Sequence, residues 1–222
     1  MRVNTKFDRP GPALVDQLAR FSSATIHEAQ GRLGALSSAI KPVDTAMSLC
    51  GPAFTVRCAP RDNLMLQVAI ACARPGDVIV VSAGEYAEAG SFGDVLANAC
   101  QAKGLGGLVT DTGVRDTAEL RKLGFPVFSY SVSIKGTVKE TIGPLAEPVL
   151  IGGELVRPGD VVRGDADGVV VVRREDVAEA IRLSREREEA EAGYIAAYRS
   201  GRDVIDVSDL AAKLEAKGLI ID

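Results

Sequence analysis

Between residues 54 and 129 the chain alternates short β-branched runs with helix-forming stretches. That alternation restricts it to folds in which helices cover a layered sheet. The run Val78–Ser82 reads Val-Ile-Val-Val-Ser, short and branched enough for a buried strand. Further strands are predicted at 54–58, 107–110 and 127–129, with helices at 63–73, 95–103 and 117–123 between them. Two short helices, 12–21 and 23–33, come first, and Ser23 or Thr25 can cap the second. After Ile134 the pattern becomes strands and turns. Residues 149–151, 161–162 and 169–172 are separated by Gly152-Gly153, Pro158-Gly159-Asp160 and Asp167-Gly168. These predict a small antiparallel or barrel-like region closed against the α/β layer. The expected class is α/β, a layered mixed sheet with flanking helices.

A long C-terminal helix is predicted over 175–198, supported by Arg182/Glu186, Arg185/Glu189 and Arg187/Glu191 at i,i+4 spacing. Between Ser184 and Ala192 it has no large apolar residue and so little to bury in its own core. Two readings stay open: the helix projects to touch a neighbouring subunit, or it is solvated. A last amphipathic helix is expected over 208–217. No repeat or linker divides the 222 residues, so residues 1–222 are read as one domain, with 175–222 as a helical extension toward a neighbouring subunit.

Charge and composition exclude several classes. Net charge is −4, with basic residues scattered among acidic ones, so no nucleic-acid footprint is present. No apolar run can span a bilayer, and residues 1–7 lack a signal-peptide core, which reads as cytoplasmic with no membrane partner. Cys50, Cys58, Cys72 and Cys100 are too widely spaced for a zinc site or disulfide framework. They read as small buried apolar residues, with Cys100 the one to watch for reactivity. His27 is the only histidine, which excludes a histidine-rich metal site; local bonding on a helix face explains it. The 104–107 glycine cluster follows a helix and precedes a strand, the reverse of a dinucleotide-binding turn. Lys103 and Lys122 suit helix ends, and Lys135 and Lys139 lie in a polar stretch. None reads as the desolvated lysine that Schiff-base chemistry needs.

Chemistry concentrates between Asp94 and Glu119. Asp94 follows Gly90-Ser91-Phe92-Gly93 at a turn that opens a helix; twenty residues later come Arg115-Asp116, then Glu119. A bland reading has Asp116 capping the next helix, Glu119 completing a capping box and Arg115 in a surface pair. Asp94 argues otherwise, because two strand-to-helix turns can meet on one side of a sheet. There the amides after Gly93 point outward, ready for a carboxylate. One guanidinium and two carboxylates beside such amides suit a metal ion and a small 2-oxo acid. With carboxylate and water ligands the metal would be magnesium or manganese. Asp111 is read as an Asx turn before Gly113, and Glu85 and Glu88 could line the pocket. Asp160, Asp165 and Asp167 are explained by turn chemistry.

The pattern Gly93-Asp94, Arg115-Asp116, Glu119 resembles the RraA-like superfamily, in particular its metal-dependent 4-hydroxy-4-methyl-2-oxoglutarate / 4-carboxy-4-hydroxy-2-oxoadipate aldolases. Segments 25–31, 107–116, 125–128, 158–160 and 167–172 share in the resemblance. It implies a swivelling β/β/α fold, a trimer or hexamer, and a class II aldolase that releases pyruvate and also decarboxylates oxaloacetate. By the same resemblance Asp116 holds the divalent cation and Arg115 stabilises the enolate. Gly93, Asp94, Val95 and Leu96, with Arg115, bind the substrate, and Asp94 positions a proton-carrying water. Glu191 from a neighbouring subunit, with Glu188 and Glu189 as rivals, assists at C4. Other readings are another oxo-acid decarboxylase or hydrolase on the same site, or a non-catalytic regulator of ribonuclease E.

Overall fold

Strand β3 (Val78–Ser82) is buried at every position and lies in the middle of an eight-stranded sheet. The structure, a computed structural model, describes residues 4–208 and 210–219. Met1–Val3, part of the stretch read for a leader, Asp209 in the expected last helix, and residues 220–222 lie outside that description.

The strands are β1 (Lys41–Pro42), β2 (Leu49–Arg57), β3, β4 (Gly90–Phe92), β5 (Gly107–Val114), β6 (Val127–Val132), β7 (Val149–Ile151), β8 (Glu154–Val156), β9 (Val161–Gly164) and β10 (Val169–Val172). The order is β1-β6-β5-β3-β2-β9-β10, with β4 added beside β5, while β7 and β8 form a separate hairpin. Pairs among β2, β3, β5 and β6 are parallel, as is β4 with β5. The flanking β1–β6, β2–β9 and β9–β10 pairs are antiparallel. The sheet is therefore mixed.

Strict alternation along these strands builds separate cores. Phe54, Ile79, Val81, Leu108 and Val127 face the outer layer of helices α3 (Leu64–Cys72), α4 (Asp94–Ala102) and α5 (Thr117–Leu123). Ala53, Val78, Val80, Val109 and Phe128 face inward and meet Val162, Val169 and Val171. Val161, Val170 and Val172 point the other way, under α1 (Pro12–Leu18), α2 (Ser23–Ala29) and α6 (Val177–Arg199). Phe128 of β6 packs so tightly on Gly164 of β9 that a Cβ there would lie 2.8 Å from the ring. Strands distant in the sheet order thus meet across the interior, and the sheet is nearly closed like a barrel. Burying one such phenylalanine contributes about 1.5–3 kcal/mol, which a Gly164→Ala clash would erode.

Several boundaries differ from expectation. Strand β5 does not stop at Thr110 but continues, wholly buried, to Val114. Its polar centre is tolerated because each group finds a partner. Asp111 accepts from the amides of Ala83 (2.5 Å) and Glu85 (3.1 Å) and from the Ser82 hydroxyl, and Thr112 Oγ1 donates to the Tyr86 carbonyl at 2.6 Å. Asp111 is therefore a buried clamp on the 82–86 loop and forms no Asx turn. Burial pushes its carboxyl above the ordinary range, against the lowering by those amides and the hydroxyl. Ser22, neither Ser23 nor Thr25, caps α2; Ser23 instead donates to Asp165 through amide and hydroxyl. Asp165, and Asp160, which accepts from Arg173 Nη1 and the Arg174 amide, are thus more than turn residues. The short strands β1, β4 and β8 were not expected.

Helix α6 buries Val177, Ala180, Ile181 and Ser184, and nothing beyond Ser184. Arg182–Glu186 and Arg187–Glu191 pair at 2.6 and 2.8 Å. A short helix not expected, α7 (Val204–Val207), precedes α8 (Leu210–Ala216), the last helix expected over 208–217. No helix among the described residues is long and apolar enough to cross a membrane. Of the cysteines, Cys58 and Cys100 are buried and Cys50 partly so. Cys72, at the end of α3, is exposed, contrary to expectation.

Candidate active site

Strand β4 aligns beside the end of β5, with Gly90 opposite Gly113 and Phe92 opposite Val114. The two chains then leave the sheet together, and the Arg115 amide donates to the Phe92 carbonyl at 2.9 Å. This places the β4–α4 turn against the β5–α5 turn, the juxtaposition the spacing of Asp94 and Arg115 suggested. Gly93 makes the contact possible: a Cβ there would sit 2.2 Å from Asp116 Oδ2.

Asp116 occupies the N-cap position of α5 in the left-handed region (φ 56°, ψ 38°) and its side chain makes no capping bond. For a residue with a Cβ that backbone costs about 1–3 kcal/mol, a strain of the kind that clusters at functional sites. Glu119 pairs with Lys122 at 2.7 Å. The capping box of the bland reading is therefore absent, because the left-handed turn aims the Asp116 carboxylate away from its own helix. Oδ2 instead lies 3.4 Å from Arg115 Nε and 3.4 Å from the Asp94 amide. Asp94 Oδ1 accepts from the Val95 amide at 2.7 Å. Two of the amides expected to point free are thus turned toward carboxylates of the protein itself.

These turns form one side of a cleft of about 310 Å³. Gly93, Asp94, Val95, Leu96, Arg115 and Asp116 all line it; Gly90 and Ser91 of β4, the α3 cap Asn63, Gln67 of α3, and Gly136, Thr137 and Lys139 complete it. Glu191 does not. It lies on the exposed half of α6, bonded to Arg187 of its own helix. Glu88 pairs with Lys135, and neither Glu85 nor Glu88 reaches the cleft. His27 bonds locally to the Leu33 carbonyl at 3.0 Å. Cys100 is no candidate nucleophile, since burial pushes its thiol up to about 12. A second cleft, about 330 Å³ between α2 and α6, has three carboxylates on its rim, and its one arginine, Arg173, is already committed to Asp160.

The far wall was not anticipated. Asp62, almost fully buried, accepts from the amides of Leu64 (2.8 Å), Glu140 (2.9 Å) and Thr141 (2.7 Å). Burial alone would raise its pKa, but these amides more than offset that and hold the carboxyl below its ordinary range. Asn63 donates to the Ser91 carbonyl at 3.0 Å, tying α3 to the glycine-rich strand. An aspartate-asparagine pair ahead of an apolar run was a visible helix-start signal, but its long-range partners were not.

Among the described residues no group of three or more histidine, cysteine, aspartate and glutamate side chains could enclose a metal. A closed zinc site is therefore a poor match. One half-exposed carboxylate, Asp116, free of its helix and open to water, does suit magnesium or manganese. Such ions keep several waters and take one or two carboxylates plus substrate oxygens.

A barrel-like mixed sheet with a polar cleft beside paired strand-to-helix turns defines an α/β protein with a candidate small-molecule site. The chain matches the family model described as "RraA-like: Aldolase/RraA" over residues 12–171, and it belongs to that family. It is 36% identical over 158 residues to a Halalkalibacterium halodurans protein named "Putative 4-hydroxy-4-methyl-2-oxoglutarate aldolase", covering 71% of this chain and 75% of that protein. Streptomyces coelicolor RraAS2, described as an unusual member of the RNase ES inhibitor RraA protein family, shares 32% identity with a TM-score of 0.73. The match covers 83% of this chain and 97% of RraAS2. An uncharacterized Pseudomonas syringae pv. tomato protein shares the fold, with a TM-score of 0.77 at 24% identity over 91% of this chain and 100% of its own.

Proposed function

We propose that the chain is a divalent-metal-dependent aldolase that cleaves 4-hydroxy-4-methyl-2-oxoglutarate or 4-carboxy-4-hydroxy-2-oxoadipate and releases pyruvate. Oxaloacetate decarboxylation would be its side activity. The observation that carries this reading is the Asp116 carboxylate, uncapped and set beside the Arg115 guanidinium at the α4 N-terminus.

Asp116 would hold magnesium or manganese, partly through water, and the bound ion would supply Lewis-acid polarisation of the 2-oxo acid. Among the described residues Arg115 makes no side-chain hydrogen bond that saturates it, only the 3.4 Å contact with Asp116, and it can donate to the C1 carboxylate and C2 oxygen. It stabilises the negative charge that develops there as the C3–C4 bond breaks. The amides of the first turn of α4 receive the substrate carboxylate, displacing the Asp94 side chain from the Val95 amide. Asp94 then positions a water that protonates C3, and the hydroxide left behind regains a proton from the acid formed when the C4 hydroxyl is deprotonated. The C4 hydroxyl loses its proton as its carbonyl forms, and Glu191 from a neighbouring copy is our candidate acceptor. That role implies a homo-trimer or homo-hexamer in which the exposed half of α6 reaches the next copy.

A second reading, a non-catalytic regulator of a ribonuclease, rests on the similarity to RraAS2. Following pyruvate release from 4-carboxy-4-hydroxy-2-oxoadipate and from oxaloacetate, with magnesium or manganese and then EDTA, separates the two. Turnover of the hydroxy acid that EDTA abolishes supports the aldolase. Turnover of oxaloacetate alone points to another oxo-acid decarboxylase or hydrolase, and no metal-dependent release favours the regulator.

A further inference from the structure

The cleft contains a cation that pyruvate release leaves unused. Lys139 lines the wall formed by Gly136 and Thr137, apart from the turn that carries Arg115. Other lysines near the turns are committed: Lys135 to Glu88, Lys122 to Glu119, and Lys103 to the Ile70 and Ala71 carbonyls. Lys139 has no such partner among the described residues.

Its backbone is held in place. The Asp62 carboxylate takes the two amides that follow Lys139, those of Glu140 and Thr141, at 2.9 and 2.7 Å. On the other side Val138 exchanges backbone bonds with Arg61 (2.9 Å) and Asn63 (3.1 Å). Lys139 is thus bracketed by bonds to the N-terminus of α3. A flexible ammonium on a fixed origin can search the cleft without moving the wall.

Charge balance says what it would find. The lining holds two cations, Arg115 and Lys139, and two carboxylates, Asp94 and Asp116. A divalent ion on Asp116 would leave two positive charges in excess within this copy, one of which Glu191 of a neighbouring copy would offset. The single charge of a 2-oxo monocarboxylate is met at its head by the ion and leaves Lys139 without a counter-charge; the second carboxylate of a 2-oxo dicarboxylate supplies one. Arg115 lies against Asp116 and so is spent on the 2-oxo acid head, which leaves Lys139 for the second anionic group.

The geometry points to Lys139 as the specificity-determining residue, pairing with the distal carboxylate and selecting 2-oxo dicarboxylates over monocarboxylates of equal length. This rests on the aldolase reading of the cleft. Thr137 and Gln67, which also line it, offer neutral donors beside that carboxylate.

The test needs no turnover. Titration calorimetry with magnesium present would compare 2-oxoglutarate with 2-oxopentanoate, which differ only by carboxylate or methyl at C5. Neither has the C4 hydroxyl that cleavage requires. Wild type should prefer 2-oxoglutarate. Lys139→Met should weaken that ligand roughly 10- to 100-fold, the range of one charge-assisted hydrogen bond, and leave 2-oxopentanoate within about twofold. Lys139→Arg should keep the preference. A Met variant with its preference intact, or one that loses both ligands equally, would overturn the assignment. Wild type that binds both ligands alike overturns it too, yet leaves the aldolase reading standing. Wild type that binds neither takes down both.

Discussion

Two of the places where arginine and aspartate meet in this molecule have opposite outcomes. Asp160 is fully buried and accepts from the Arg157 and Arg174 amides at 3.0 and 3.2 Å and from Arg173 Nη1 at 2.8 Å. Its bonding capacity is filled, and it joins the β8–β9 turn to the start of α6. Asp116 and Arg115 are half exposed, touch at 3.4 Å, and hold a backbone left in the left-handed region. The same two side-chain types form scaffold where their bonds are saturated and a candidate site where they are not. Unfilled valence, more than the presence of charge, separates the two.

Substitutions can break that contrast. Arg115→Ala should lower kcat for pyruvate release by about 10²–10³-fold, the loss typical when a transition-state donor is removed. Its thermal midpoint should stay near wild type, because the guanidinium holds nothing together; a large drop in midpoint would erase the distinction. Asp160→Ala should do the reverse. Two backbone donors lose their acceptor at about 1–3 kcal/mol each, so urea unfolding should show roughly 3 kcal/mol of lost stability. Activity per folded molecule should be little changed.

Asp62→Asn should give the smallest effect and sharpens the contrast through pH. The folded-state pKa of Asp62 is depressed, so its contribution is present above the ordinary aspartate value of 3.8 and is lost as pH falls through the lower folded value. The variant should be less stable than wild type at neutral pH, and the gap should close in acid. Urea midpoints measured from pH 7 down to the acid limb check this. A gap that widens in acid would mean that Asp62 does not act as an ionised acceptor.

The fold was legible where local pattern and final burial agree. Val78–Ser82 could be read as a buried strand because every position is buried. The end of β5 could not, since Thr110, Asp111 and Thr112 look like a polar turn until the loop at 82–86 satisfies them. The near wall of the cleft was visible in the spacing of Asp94, Arg115 and Asp116, because both turns lie on paired neighbouring strands. The far wall was hidden, since Asp62 reaches Glu140 and Thr141 across nearly eighty residues that carry no periodic signal. Nothing in the intervening sequence announces that pairing.

The cysteines give the molecule a practical handle. Burial pushes the thiols of Cys50, Cys58 and Cys100 up to about 12, so near neutral pH they are almost wholly protonated and slow toward a maleimide. Cys72 is the exposed one, at the far end of the helix whose first turn frames the cleft. The native chain therefore offers a single attachment point for a fluorophore or spin label. A reporter placed there rides on the helix that Asn63 ties to the glycine-rich strand, and can follow ligand arrival without any engineered residue.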